Sequence, residues 1–339
     1  MIFLSGCQIG YLFHVSYNHL ALLNSKEPID QVLLSKKLTP EQERKVLLTQ
    51  EARQFAFNKL GLTRSKNYTD YVDLRRPYVT YAVMASQKWA LEPYLWTFPF
   101  IGKAPYKGYY NDEAARQEAE ELKKLNLDVY VRGVSAFSTL GKLNDPLLSS
   151  MLNYSDYNLV NTIIHELVHT TLFIKDNIDF NERLAVFIAG KGTELFYLEK
   201  EGSQSITLEK TKKENEDDVL FSSFITNELN LLKTWYKDLA PNFKNKADAE
   251  QLRQIRLNEI KTHFKDELQP KLKTASYKYF LTAQLNNATL SNYHTYMKNL
   301  DIFSKAFEKS GSQIAKFLEQ CKQLEKSDNP EADLLKMSQ

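Results

Sequence analysis

Between Thr162 and Phe173 the chain reads TIIHELVHTTLF, and Ile163, Ile164, Leu167, Val168, Leu172 and Phe173 leave it almost no polar face. A helix that is apolar nearly all round is a buried one. Ser155-Asp156 supplies an N-terminal cap, so the pattern predicts a core helix over 156–174. The polar stretch Lys175–Asp179 predicts a turn, with a second helix over 180–200. Upstream, Thr39-Pro40-Glu41-Gln42 combines a Thr/Gln capping box with proline at the first helical position, opening a helix that runs to about Leu60 and stops at Gly61. The apolar and aromatic positions of 8–30 predict an earlier helix packed on the body.

Alternating β-branched and aromatic residues mark strands at Pro77–Ala85, Thr97–Gly102, Tyr106–Tyr110 and Asp128–Val134. They predict one small sheet between about 77 and 140, interrupted by a helix over Asp112–Leu125. Beyond Gly202, spacing such as Leu252, Ile255, Ile260 predicts long helices over Val219–Leu239 and Ala247–Leu268, broken near Pro241 and Pro270. The expected fold is α+β, mostly α-helical, with a small mixed sheet and a long helical C-terminal region. Its expected organisation is a leader remnant at 1–7, a part at 8–202 carrying the N-terminal helices, the sheet and the buried helix pair, and a helical part at 203–339 packing on it.

Composition adds exclusions. Only 11 glycines and 10 prolines in 339 residues disfavour a turn-rich β architecture. A net charge of +2, with no basic stripe interleaved with aromatics, gives no reason to expect a nucleic-acid partner. No run of 18 apolar residues exists, so no transmembrane span is expected. The two cysteines, Cys7 and Cys321, have no C-x-x-C spacing, which excludes a thiolate zinc site and a disulfide framework.

The chemistry sits in the buried helix. His165 and His169 are four apart and so share a helix face, where two imidazole nitrogens can hold one metal ion. Glu166 then lies beside the ion, where a carboxylate can take a proton from an activated water. Average residue usage would produce H-E-x-x-H in a chain of this length about once in a hundred. The expected cofactor is one zinc ion. A catalytic zinc takes three protein ligands and keeps an open position. A third histidine six residues on is ruled out, because Lys175 stands there and Leu172 replaces the glycine of that pattern. If the helices at 156–174 and 180–200 are antiparallel about the turn, Glu182 lies beside His169. Asp176, Asp179 and Glu194 are alternatives, and Glu182 could instead close a capping box with Asp179.

His165-Glu166-Leu167-Val168-His169 followed by Asn181-Glu182-Arg183-Leu184-Ala185 is similar to the gluzincin pattern, H-E-x-x-H then N-E-x-x-A, with a shorter linker. A closer resemblance is to a family of bacterial predicted aminopeptidases, many of them lipoproteins. It rests on blocks at Phe98–Gly102, Tyr106–Tyr110, Ala136–Gly141, Asp145–Leu148, HELVHTTLF, FNERLAVFIAGKG and Asn286-Asn287-Ala288, and covers about 30 to 310. The resemblance implies a zincin-like metallopeptidase core, zinc on His165, His169 and Glu182, Glu166 as general base, and a peptide substrate cut from its amino end. Tyr296 or His294, with Tyr277 behind them, are the candidates for the donor that meets the oxyanion. The segment at 133–141 is a candidate for the edge to which the substrate backbone adds. Asn286 and Asn287 either end a helix or line the pocket.

Leu4-Ser5-Gly6-Cys7 resembles a lipobox, although only three residues precede it where a secretory signal needs a charged start and an apolar run. Read so, Cys7 is a lipid anchor and the protein works in the cell envelope on the periplasmic side; read as coincidence, the protein is cytoplasmic. Two other functions fit the same residues: an endopeptidase or processing protease, and a lipid-anchored protein with a non-catalytic metal site.

Overall fold

Local signals set many of the elements in the computed structural model, which describes residues 20–98, 102–136, 144–175, 177–239, 248–295, 300–327 and 329–337, excepting the side chains of Ile178, His294 and Thr295. Cys7, Asp176, Tyr296 and the His294 side chain therefore lie outside the described residues, as does most of 133–141. The Thr39 box is formed: its hydroxyl accepts from the Gln42 N–H at 3.2 Å, and Gln42 Oε1 accepts from the Thr39 N–H at 2.9 Å. It opens the helix Pro40–Asn58. Gly61 follows at φ +75°, a left-handed conformation that suits glycine, and a Cβ there would come within 2.9 Å of Ala315 Cβ.

In the described part of 8–30 a single helix does not form. Helical residues at 20–24 give way to strand β1, Glu27–Pro28, and a separate short helix, Ile29–Leu34. Pro28 is the cause, because its ring disfavours helical geometry in the residue before it and it has no N–H to give. Among the described residues three sheets stand where one was expected. β1 pairs antiparallel with β2, Asp70–Val72, which runs parallel to β8, Leu147–Leu148. β3, Thr80–Gln87, is flanked by β6, Tyr106–Tyr109, and β7, Leu127–Val134, both antiparallel to it. β4, Trp96–Phe98, pairs antiparallel with β5, Gly102–Ala104. Strands of two or three residues are too short to show an alternating pattern, which is why the first sheet is invisible in the sequence.

The chain forms two compact units. The first takes residues 1–79, 135–208 and 298–339. Its centre is the helix Asp156–Thr171, termed the ligand helix after the candidate ligands His165 and His169, lying antiparallel to the return helix, Ile178–Glu201. Leu159, Val160, Ile163, Ile164, Leu167 and Val168 are fully buried there, against Leu184, Ala185, Ile188 and Ala189. Phe187 on the return helix meets the rings of Phe303, Phe307 and Phe317, from the helices Asp301–Lys309 and Ile314–Lys322.

The second unit takes residues 80–134 and 209–297, joining the β3 sheet to the helices Asp112–Lys124 and Ala249–His263 and most of Ile206–Asp238. A buried polar hub ties it together. Arg253 pairs with Asp128 and donates to the Tyr236 hydroxyl, which donates to Asn287 Oδ1 at 2.8 Å. Asn287 Nδ2 donates in turn to the carbonyls of Gln87, Lys88 and Ala90. Asn287 is thus a packing residue at the start of a helix, and Asn286 caps that helix by accepting from the Thr289 N–H at 2.8 Å. Among the described residues no helix is long and apolar enough to cross a membrane.

Candidate metal centre

The ligand helix starts where Ser155 Oγ accepts from the Asn158 N–H at 3.2 Å. It ends at Thr171, three residues before the expected stop. Thr170 and Thr171 both turn their hydroxyls back onto the Leu167 carbonyl, each at 2.8 Å, and hydroxyls that compete for backbone partners weaken a helix end. Leu172 is already extended. The chain then turns and re-enters the return helix at Ile178.

Two close approaches hold the helices together. Gly192 lies against Ile164, and Asn161 Nδ2 reaches Thr193 Oγ1 at 3.4 Å. At the other end of the pair, His165, His169 and Glu182 converge, their ligand atoms all within 4.8 Å of one another. The two histidine Nε2 atoms are 3.1 Å apart. His165 Nε2 is 3.4 Å from Glu182 Oε2, and His169 Nε2 is 3.4 Å from Glu182 Oε1. Zinc bonds of about 2.0–2.1 Å in a tetrahedron put neighbouring ligand atoms about 3.3 Å apart. The three edges therefore match one face of a tetrahedron around zinc, and the donor set of two imidazoles and a carboxylate suits that ion.

Electrostatics agree with the geometry. Burial, helped by the charge of His165, pushes the His169 imidazole down to about 4 against the pull of Glu182. Near neutral pH it therefore keeps a lone pair free. Burial raises the Glu182 carboxyl, but the His165 hydrogen bond and the charges of His169 and His165 outweigh it and leave the group below its ordinary value. The Glu182 side chain is half exposed, whereas that of His169 is 2% exposed, so the triangle is open to solvent on the carboxylate side. His169 Nδ1 is buried with no hydrogen-bond partner among the described residues, a departure from the supporting acceptor that zinc histidines usually have.

The other expectations are placed as follows. Glu182 sits in the second turn of its helix and closes no capping box; Asn177 is the N-cap residue and makes no side-chain cap bond. Asp179 pairs with Arg183, and exposed Glu194 pairs with Lys191. Tyr277 stacks on Phe221 at 3.9 Å between ring centroids and gives its hydroxyl to Asp218 at 2.5 Å, so it serves packing within the second unit.

Sequence reasoning missed Tyr68 and the bonds of the Asn181 amide to the main chain of Ile174. Tyr68 is fully buried at φ +61°, a conformation that is uncommon outside glycine and clusters at functional sites. Its backbone is held by the Asp145 carbonyl, 2.7 Å from its N–H, and by Gln50, whose amide donates to its carbonyl at 2.8 Å. Burial first, then the nearby charges of Glu166 and Asp145, raise its phenol well above its ordinary value. No local pattern signals this residue. Asn181 stands first in the N-E-x-x-A block, but nothing in the sequence says what its amide binds.

A family model described as "Putative aminopeptidase" matches residues 10–334. No curated protein and no solved structure matches the chain. Because the family match spans nearly the whole chain, the protein belongs to this aminopeptidase family.

Proposed function

We propose that the protein is a zinc-dependent peptidase that removes residues from the amino end of peptides. The observation that supports this most is the triangle of His165, His169 and Glu182, with edges of 3.1, 3.4 and 3.4 Å, and Glu166 one residue along the same helix. The family membership supports the aminopeptidase direction.

His165, His169 and Glu182 would hold the zinc, which, when bound, supplies a Lewis acid for the scissile carbonyl and lowers the pKa of water toward neutrality. Glu166 takes a proton from the attacking water and returns it to the departing amine, a role that contributes about 10²–10⁴-fold to rate. The charge of Glu166 is felt by the buried Tyr68 phenol, and the apolar wall of the ligand helix keeps bulk water from its inner side. The site reading extends to location: Leu4–Cys7 supports a lipid-anchored place in the cell envelope, checked by metabolic labelling with a palmitate analogue in cells and loss of the label in Cys7→Ser.

The test is hydrolysis by the zinc-loaded protein of aminoacyl reporters and of internally quenched peptides, beside Glu166→Gln. The expected result is cleavage of the reporters, with Glu166→Gln keeping its zinc and losing at least a hundredfold in rate. Equal rates for the two proteins would refute the proposed base. Cleavage of quenched peptides alone would make the enzyme an endopeptidase.

A further inference from the structure

The Glu182 side chain is half exposed, so packing does not cage the carboxylate. Its place against the two histidines depends on where its backbone stands relative to the ligand helix. Zinc tolerates displacements of about 0.2 Å in its ligand distances, so that backbone has to be held closely.

The return helix is held weakly at its start, since Asn177 makes no side-chain cap bond, turns its amide to the Lys175 carbonyl at 3.0 Å and gives its N–H to the Ile174 carbonyl at a long 3.3 Å. Asn181, one residue before Glu182, does the holding. Its side chain is 1% exposed. Its Oδ1 accepts from the Ile174 N–H at 2.9 Å and its Nδ2 donates to the Ile174 carbonyl at 2.7 Å. One amide thereby satisfies both main-chain groups of a buried residue that has just left the ligand helix, as a neighbouring strand would. The chain between the ligands then runs from His169 to Ile174, across the amide to Asn181, and on to Glu182. This link runs beside the turn between Ile174 and Asn181, whose own bond to the Ile174 carbonyl, from the Asn177 N–H, is longer at 3.3 Å.

We propose that Asn181 is a positioning residue for the metal site, setting the separation of Glu182 from His165 and His169 through its double bond to the Ile174 main chain. This rests on Glu182 being a zinc ligand, and the experiment separates the two claims. Zinc affinity is measured by competition with a chromophoric chelator for the parent, Asn181→Ala, Asn181→Asp and Glu182→Ala, with the melting temperature of each metal-free protein. Cobalt is substituted for zinc and its visible spectrum recorded. Asn287→Ala, which removes a comparably buried asparagine from the second unit, serves as a stability control.

Asn181→Ala is expected to weaken zinc binding roughly 10–100-fold, the range for lost outer support of metal ligands. Its cobalt bands should weaken as the carboxylate leaves the tetrahedron. Asn181→Asp keeps the acceptor for the Ile174 N–H and loses the donor to the carbonyl, so it should fall between Asn181→Ala and the parent. Asn287→Ala should lower the melting temperature and leave zinc affinity alone. A folded Asn181→Ala, or Asn181→Asp if the first does not fold, that melts lower but keeps parental affinity and spectrum overturns the proposal. Parental affinity in Glu182→Ala instead overturns the ligand reading, and the proposal with it.

Discussion

Gly192 packs so closely on Ile164 that a side chain at position 192 would press on it. A Cβ at position 192 would lie 3.3 Å from Ile164 Cγ2 and 2.6 Å from Leu60 Cδ1. Ile164 is branched at Cβ and stiff, and it immediately precedes His165, so this contact helps set how closely the return helix approaches the two imidazoles.

Gly192→Ala is therefore expected to destabilise. Overpacking costs about 1–3 kcal/mol, and the gain in helix propensity of about 1 kcal/mol offsets part of it. Gly190, two residues earlier on the same helix, has open space where its Cβ would go. Gly190→Ala should stabilise by up to about 1 kcal/mol. Urea unfolding of both variants checks the opposite signs, and equal shifts would show that the 192 contact is not tight.

Zinc should add stability that a chelator removes. An ion that binds only the folded state at about a thousand times its Kd contributes about 4 kcal/mol. Melting with and without chelator should differ by several degrees in the parent and by much less in His165→Ala. No difference in the parent would mean that no ion binds.

Arg253 is 1% exposed and bonded to Asp128, Tyr236 and Glu250. Arg253→Met strips the buried Asp128 of its main counter-charge, and breaking such a pair costs about 3–5 kcal/mol. Against a total stability of about 5–15 kcal/mol that is a large loss, seen as a fall in melting temperature.

Glu118 supplies a pH dependence away from the metal centre. Its carboxylate accepts from Trp96 Nε1 at 3.0 Å, Lys107 Nζ at 3.1 Å and the Tyr109 hydroxyl at 2.7 Å. Burial raises its pKa, but the Tyr109 and Trp96 hydrogen bonds and the Lys107 charge outweigh it and leave it below the ordinary 4.5. A lowered carboxyl pKa stabilises the fold above 4.5, and that contribution disappears as pH falls through the lower folded value. Glu118→Gln should cost about 1 kcal/mol at neutral pH and make stability less steep in pH below 4.5. Unfolding curves at pH 7 and at pH 3.5 decide it; the same difference between variant and parent at both would exclude the effect.

The sequence was most legible where a residue acts on its near neighbours. The Thr39 box, the Ser155 cap and the i, i+4 histidines all formed as the spacing required, because each depends on contacts within one helical turn. It was less legible at Thr170 and Thr171, whose hydroxyls end the ligand helix early by taking the Leu167 carbonyl. Short strands such as β2 and β8 left no period at all. Their pairing joins residues 71 and 147, and nothing local encodes so distant a partner.

By itself the sequence determined a buried helix with two imidazoles on one face and a carboxylate beside them, and it offered Glu182 among several acids for the third place. Among the described acids, the tertiary structure brings the Glu182 carboxylate within 3.4 Å of both imidazoles. It also returned the residues after 297 to the unit that holds the ligands and set Asn287 and Tyr277 to packing in the other. The physical reason is range: helix periodicity and capping act over three or four residues, whereas ligand spacing is set by contacts between side chains far apart in the chain.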